Sequence, residues 1–146
     1  MLVRQQHIGK EHYGSLVEFT EARAFKADTY VIMLGTNDAV HARGEPLRVA
    51  PGLSELILSL DADALAAGPP EPTVLIVLPP GAKPGNMVKR LKDVIHPAIV
   101  HLARGEGNAT ALDPKPLGKA LYQRDMVHLN IKGMTRIAKI AANAIF

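Results

Sequence analysis

Two short runs of the chain are apolar without interruption: TYVIML, from Thr29 to Leu34, and TVLIVL, from Thr73 to Leu78. Neither alternates apolar with polar positions, and both are rich in β-branched residues, the pattern of strands buried on both faces. A weaker third run, ATALD, from Ala109 to Asp113, is closed by Pro114. Around these runs apolar residues recur at helical spacing. Leu53, Leu56, Ile57, Leu60 and Ala64 share one helical face, with Pro51 suited to a first turn. Val88, Leu91, Ile95, Ala98, Ile99 and Leu102 form a second stripe, for which Asn86 is the expected N-cap. Pro97 removes a backbone donor there and predicts a kink or break near Ile95. A third stripe, Met134, Ile137, Ala138, Ala141 and Ile145, predicts a final helix, and a less regular helix is expected over residues 15–26.

Helices alternating with strands predict a single α/β domain over residues 1–146, a parallel sheet covered by helices. In such sheets functional groups gather beyond the carboxyl ends of the strands. Three segments fall there: GTND (Gly35 to Asp38), PPGAKPG (Pro79 to Gly85) and DMVHLN (Asp125 to Asn130).

Composition narrows the chemistry. With 47% apolar and 21% charged residues the chain is of globular type, and no apolar run approaches the roughly 20 residues of a bilayer span. The first ten residues lack the apolar centre of a signal peptide, so a cytoplasmic location is expected. Cysteine is absent, which removes disulfides, thiolate nucleophiles and Cys-based zinc sites. The net charge of +3 comes from scattered basic residues, Arg90 among them, with little aromatic surface between them, so a nucleic-acid partner is not expected. His7 with His12, and His96 with His101, stand five apart, a spacing that does not align two ligands on one helical face, so no metal is expected. No phosphate-cradling glycine motif is present, and no cofactor is expected.

The two polar segments carry the candidate chemistry. Asn37 offers a neutral NH2 donor that could hold an oxyanion, and Asp38 could brace its loop by accepting backbone N–H bonds. The alternative is a plain strand-ending turn, since Gly, Asn and Asp are all turn residues. His128 is a candidate general base, with Asp125 placed to accept its other N–H, and Asn130 reads as the N-cap of the last helix. On spacing alone, His128 could equally be a surface histidine before a helix.

Taken together, VIMLGTND and, about ninety residues later, DMVHLNIKGM resemble blocks III and V of the SGNH (GDSL-type) hydrolases. The resemblance implies a flavodoxin-like three-layer α/β/α sandwich and a serine esterase or lipase activity on a small ester. It also implies Asn37 as side-chain oxyanion donor, His128 as base, Asp125 as its acid, and Gly133 as the small residue after the histidine block. Gly35 and Asp38 would support the oxyanion loop. Gly14, or Gly9, resembles the block II glycine whose N–H is a second oxyanion donor.

The departure lies upstream. The family's nucleophile is the serine of a GDS motif, and this chain has none. Ser54 and Ser59 fall inside an amphipathic helix, and Ser15 follows a glycine but no apolar strand, which leaves it a poor candidate nucleophile. The chain resembles the family from block II onward, as if N-terminally incomplete and lacking its first strand or strands. TYVIML would then be an edge without charge, proline or bulge. Three accounts of that edge are open: the chain is part of a longer hydrolase, two copies pair through it as a homo-oligomer, or a segment such as MLVRQQHI covers it. Two functions follow: a serine ester hydrolase, inactive if the nucleophile is lacking, or a non-catalytic binding or self-assembling module of the same descent.

Overall fold

A computed structural model of the chain describes residues 2–3, 13–40, 45–68 and 70–146. Its centre is a sheet of four parallel strands in the order β1 (Leu2–Val3), β2 (Thr29–Ile32), β3 (Thr73–Val77) and β4 (Ala109–Leu112). Val31 stands beside Leu75, which stands beside Thr110. The helices are α1 (Val17–Ala24), α2 (Thr36–Val40), α3 (Val49–Ala67), α4 (Asn86–Arg90), α5 (His96–Gly105) and α6 (Ile131–Ile145).

Strand alternation divides the core in two. Tyr30, Ile32, Val74 and Ile76 join a cluster with Phe19 of α1, Leu53 and Ile57 of α3, and Ile99 of α5. Val77 belongs to a second cluster with Tyr122, Leu129 and Ile137 of α6, against which Val31, Met33 and Leu112 pack. Helices therefore lie on both faces, α1, α3 and α5 on one and α6 on the other, giving the flavodoxin-like α/β/α sandwich. Burying side chains such as Ile57, Ile95 and Ile99 completely is worth about 1.5–3 kcal/mol each.

The helices form where the apolar spacing places them, with informative departures. In α3 the face of Leu53, Leu56, Ile57 and Leu60 is buried, and Gly68 ends the helix in the left-handed region at φ +87° with its N–H on the Ala64 carbonyl. Arg23 and Asp63 fasten α1 to α3 by paired bonds of 2.6 and 2.7 Å. Pro97 sits in the first turn of α5, and the helix does not break ahead of it. Leu91–Ile95 widens into a π-turn joining α4 to α5, which accommodates the missing N–H and the ring. Gly85, not Asn86, occupies the N-cap of α4, because φ of +102° there needs glycine.

Three expectations are corrected. First, β2 is not buried on both faces as β3 is: Tyr30 and Ile32 are buried while Thr29 and Val31 are half-buried. Second, the edge of β2 is not bare. Leu2 pairs with Val31 and Val3 with Ile32, so part of the MLVRQQHI segment lies along it in parallel. Third, the apolar stripe of α6 is only partly core. Ile137 and Ala141 are buried, whereas Met134 is 54% and Ile145 38% exposed. These exposed residues border an open apolar groove of about 490 Å3 whose other wall is Val31 and Met33. Among the described residues, α6 is the one helix on that face of the sheet, and the groove runs along its flank.

Candidate active site

GTND begins the site. Gly35 ends the extended segment after β2 at φ +106°, and a Cβ there would stand 3.2 Å from both Val49 Cγ1 and Ile95 Cγ2. Only glycine meets both demands. The chain then enters α2 directly, with the Ala39 N–H on the Gly35 carbonyl at 3.0 Å, so GTND opens a helical turn instead of a simple reversal. Asp38 is turned inward, 6% exposed. Arg90 of α4 closes the far end of α2, donating from Nη1 to the carbonyls of Ala39 (2.9 Å) and Val40 (3.3 Å). A cation at a helix C-terminus is favourably placed. Asn37 is thus held in a short helix pinned at both ends.

The second segment is built around Asp125. Its Oδ1 accepts the backbone N–H groups of Val127 (2.9 Å) and His128 (3.0 Å), while Oδ2 meets Nδ1 of His128 at 2.5 Å. Met126, between them, takes φ +58°, a left-handed conformation unusual outside glycine. Burying Val127 and Leu129 on either side of His128 anchors the segment in the two core clusters. The Gln123 N–H on the His128 carbonyl (2.7 Å) and the Ala82 N–H on the Met126 carbonyl (3.1 Å) complete the loop. Asn130 caps α6 as expected: Oδ1 accepts the Gly133 N–H at 3.0 Å, and Nδ2 donates to the carbonyls of Ala120 and Tyr122.

The bond to His128, then the two backbone N–H groups, lower the Asp125 carboxyl to a pKa of about 2. An ionised carboxylate can only accept, so Nδ1 of His128 carries the proton. Nε2 is then the basic nitrogen of the neutral ring.

The two segments meet. Asn37, Gly35 and Thr36 line one small pocket together with His128, Pro80 and Met134, about 60 Å3 in volume. Its floor is the rim of the sheet at Met33 and Leu34. An amide donor and an imidazole base on one cavity can act on a single carbonyl, the amide at its oxygen and the base on an attacking hydroxyl.

No protein-family model matches the chain, and no curated protein matches it at significance. Solved structures do. A candidate arylesterase from Agrobacterium tumefaciens strain C58 superimposes with a TM-score of 0.70 at 24% identity, over 96% of this chain and 71% of that one. A catalytic mutant of an acetylxylan esterase from Geobacillus stearothermophilus follows at TM-score 0.54 and 22% identity, over 90% of this chain and 68% of that one. The chain has the SGNH-hydrolase fold.

Within the SGNH-hydrolase fold the remaining sequence candidates lie elsewhere. Gly14 and Ser15 belong to a 3-10 turn, Tyr13–Ser15, both exposed and outside the lining of the Asn37–His128 pocket. A Cβ on Gly14 would lie 3.7 Å from Leu56 Cδ2, which places this turn against α3. Ser54 bonds Glu106 and Ser59 the Glu55 carbonyl, both on α3. Gly9, His7, His12 and His41 lie outside the described residues. Met126 packs against the second core cluster and is not in the pocket lining. Among the described residues no three His, Cys, Asp or Glu side chains gather as a metal site, and no helix is long and apolar enough to cross a membrane.

Sequence reading missed two supports. Arg90 read as one of the scattered basic residues, and His96 only as half of a pair unsuited to a metal, yet His96 Nε2 bonds the Pro79 carbonyl at 3.0 Å and holds the loop that brings Pro80 to the pocket. No local signal marks either, because their partners lie 17 to 51 residues away.

Proposed function

We propose that this pocket is the base, acid and oxyanion part of an SGNH-type ester hydrolase site. The observation that carries the reading is that Asn37 and His128 line one cavity while Asp125 holds the imidazole. In this reading a small ester places its carbonyl oxygen on the Asn37 NH2 group. Nε2 of His128 takes the proton of an attacking hydroxyl, and the tetrahedral oxyanion forms on the Asn37 donor. The same proton then passes to the departing alkoxide as the carbonyl re-forms. Gly35 and Asp38 shape the loop that presents Asn37. Membership of the SGNH family, beyond its fold, is part of this proposal.

The nucleophile divides two readings. Ser15 is the one serine outside α3, and it does not line the pocket. That favours, as second reading, a module that binds through this pocket without turning substrate over. Hydrolysis of p-nitrophenyl acetate by the full chain separates them. The first reading expects slow turnover, reduced about a hundredfold or more in His128→Ala, as for loss of a general base, and unchanged in Ser15→Ala. Turnover indifferent to His128→Ala and Asn37→Ala removes the hydrolase reading. Turnover abolished by Ser15→Ala makes Ser15 the nucleophile.

A further inference from the structure

The serines of this chain are Ser15, Ser54 and Ser59, and none of them lines the pocket beside His128. Cysteine is absent from the sequence. Thr36 is the one hydroxyl-bearing residue of the lining, and it directly precedes Asn37 at the start of α2. Successive side chains on a helix point about 100° apart and do not face one another. A carbonyl whose oxygen rests on the Asn37 amide is therefore not presented to Thr36. The dyad is also open to solvent, the His128 and Asp125 side chains being 35% and 45% exposed. At about 60 Å3 the pocket has room for a reacting carbonyl and one water, whose share of liquid volume is about 30 Å3.

We propose that the attacking hydroxyl is water itself, and that this chain hydrolyses short acyl esters without forming an acyl-enzyme. The proposal rests on the ester-hydrolase reading of the pocket and extends it by naming the nucleophile. Nε2 of His128 removes one proton from water as the water oxygen bonds the carbonyl carbon, and the carbonyl π pair moves onto the oxygen held by Asn37. The intermediate collapses by re-forming the carbonyl and breaking the bond to the alcohol oxygen, which takes the proton from Nε2. Ester and water become acid and alcohol, and no group is left on the protein. That intermediate carries two oxygens able to leave, one from water and one from the alcohol. Water has a pKa of about 15.7 and a phenol one of about 10. A phenoxide therefore leaves well ahead of hydroxide, whereas a simple alkoxide does not. The chemistry selects short-acid esters of phenols or of comparably acidic alcohols.

The test gives the full chain phenyl acetate, whose leaving group is too poor to favour direct attack by an imidazole, and follows phenol from the first turnover. Expected is linear release without the burst that marks an accumulating acyl-enzyme. Protein quenched with acid in mid-reaction and mapped by mass spectrometry should carry no acetyl group on Ser15, Thr36, His128 or any other side chain. With methanol added, any methyl acetate formed should be matched by an equal rise in phenol release, because each acceptor must attack the ester itself. Turnover should fall about a hundredfold in His128→Ala, as for loss of a general base, and stay unchanged in Ser15→Ala. A burst, an acetylated residue, or methyl acetate formed at unchanged phenol release reveals an acyl-enzyme and overturns the proposal. If turnover is then still lost in His128→Ala, the ester-hydrolase reading stands with a nucleophile from the protein. Turnover indifferent to His128→Ala, or none above buffer, overturns both.

Discussion

Gly133 lies so close to Leu121 that a Cβ on the glycine would overlap the Leu121 carbonyl oxygen. The contact locks α6 against the Lys119–Leu121 turn, directly behind the segment carrying Asp125 and His128. In a free helix Gly→Ala stabilises by about 1 kcal/mol. Here Gly133→Ala is expected to destabilise by about 1–3 kcal/mol, the cost of overpacking against backbone. Urea unfolding decides by the sign alone: a midpoint that rises means the turn moves aside freely.

Gly35→Ala is expected to cost more, about 2–4 kcal/mol, since a left-handed backbone and two close side chains act together. The added methyl presses on Val49 and Ile95 and shifts the start of α2, so the Asn37 amide resonances should move with it. A stable variant with unshifted Asn37 signals contradicts the rigid account of the loop.

Arg90→Met keeps the aliphatic packing and deletes the two bonds to the carbonyls of Ala39 and Val40. Hydrogen bonds from charged donors are worth about 1.5–3 kcal/mol, and with Arg90 partly exposed the expected loss is about 1.5 kcal/mol. Denaturant midpoints measure it, and a loss below about 0.3 kcal/mol would mean water serves those carbonyls equally well.

Acid should act through Asp125. Its carboxyl titrates at about 2 in the folded chain, below the ordinary carboxylate range near 4. A lowered folded value means its stabilising contribution is complete above the unfolded value and is lost as pH falls from about 4 through about 2. Carbon NMR of the Asp125 side chain should therefore show a midpoint near 2 that rises in His128→Ala. An unmoved midpoint in that variant would show the imidazole is not its main partner.

Much of this was legible in the chain itself. Uninterrupted apolar runs placed β2 and β3, although only β3 proved to be covered on both faces. Asn130 could be read as a cap because its carboxamide serves an N–H only three residues on. Asp125 and His128 were legible for the same reason of short range. What escaped depends on distant partners. Leu2–Val3 is too short for any periodicity and is a strand only by virtue of Val31 and Ile32. The open flank of α6 escaped too, since a helical stripe announces an apolar face without saying how much of it will be covered. The π-turn shows the same limit: Pro97 forecast a disturbance, and the packing of Leu91, Ile95 and Ile99 decided that the helix would widen instead of breaking.

Because every pairing in the sheet is parallel, no strand touches its neighbour in sequence through a hairpin. Tyr30 must find Val74, and Val74 must find Ala109, each across two intervening helices. Chain entropy is spent on long closures before any ladder bond rewards it, which makes for a slow search compared with a helical bundle of the same size. The helices α3 and α5 can form early and locally, and the sheet is then assembled between them, so refolding kinetics should be limited by the meeting of β2 with β3.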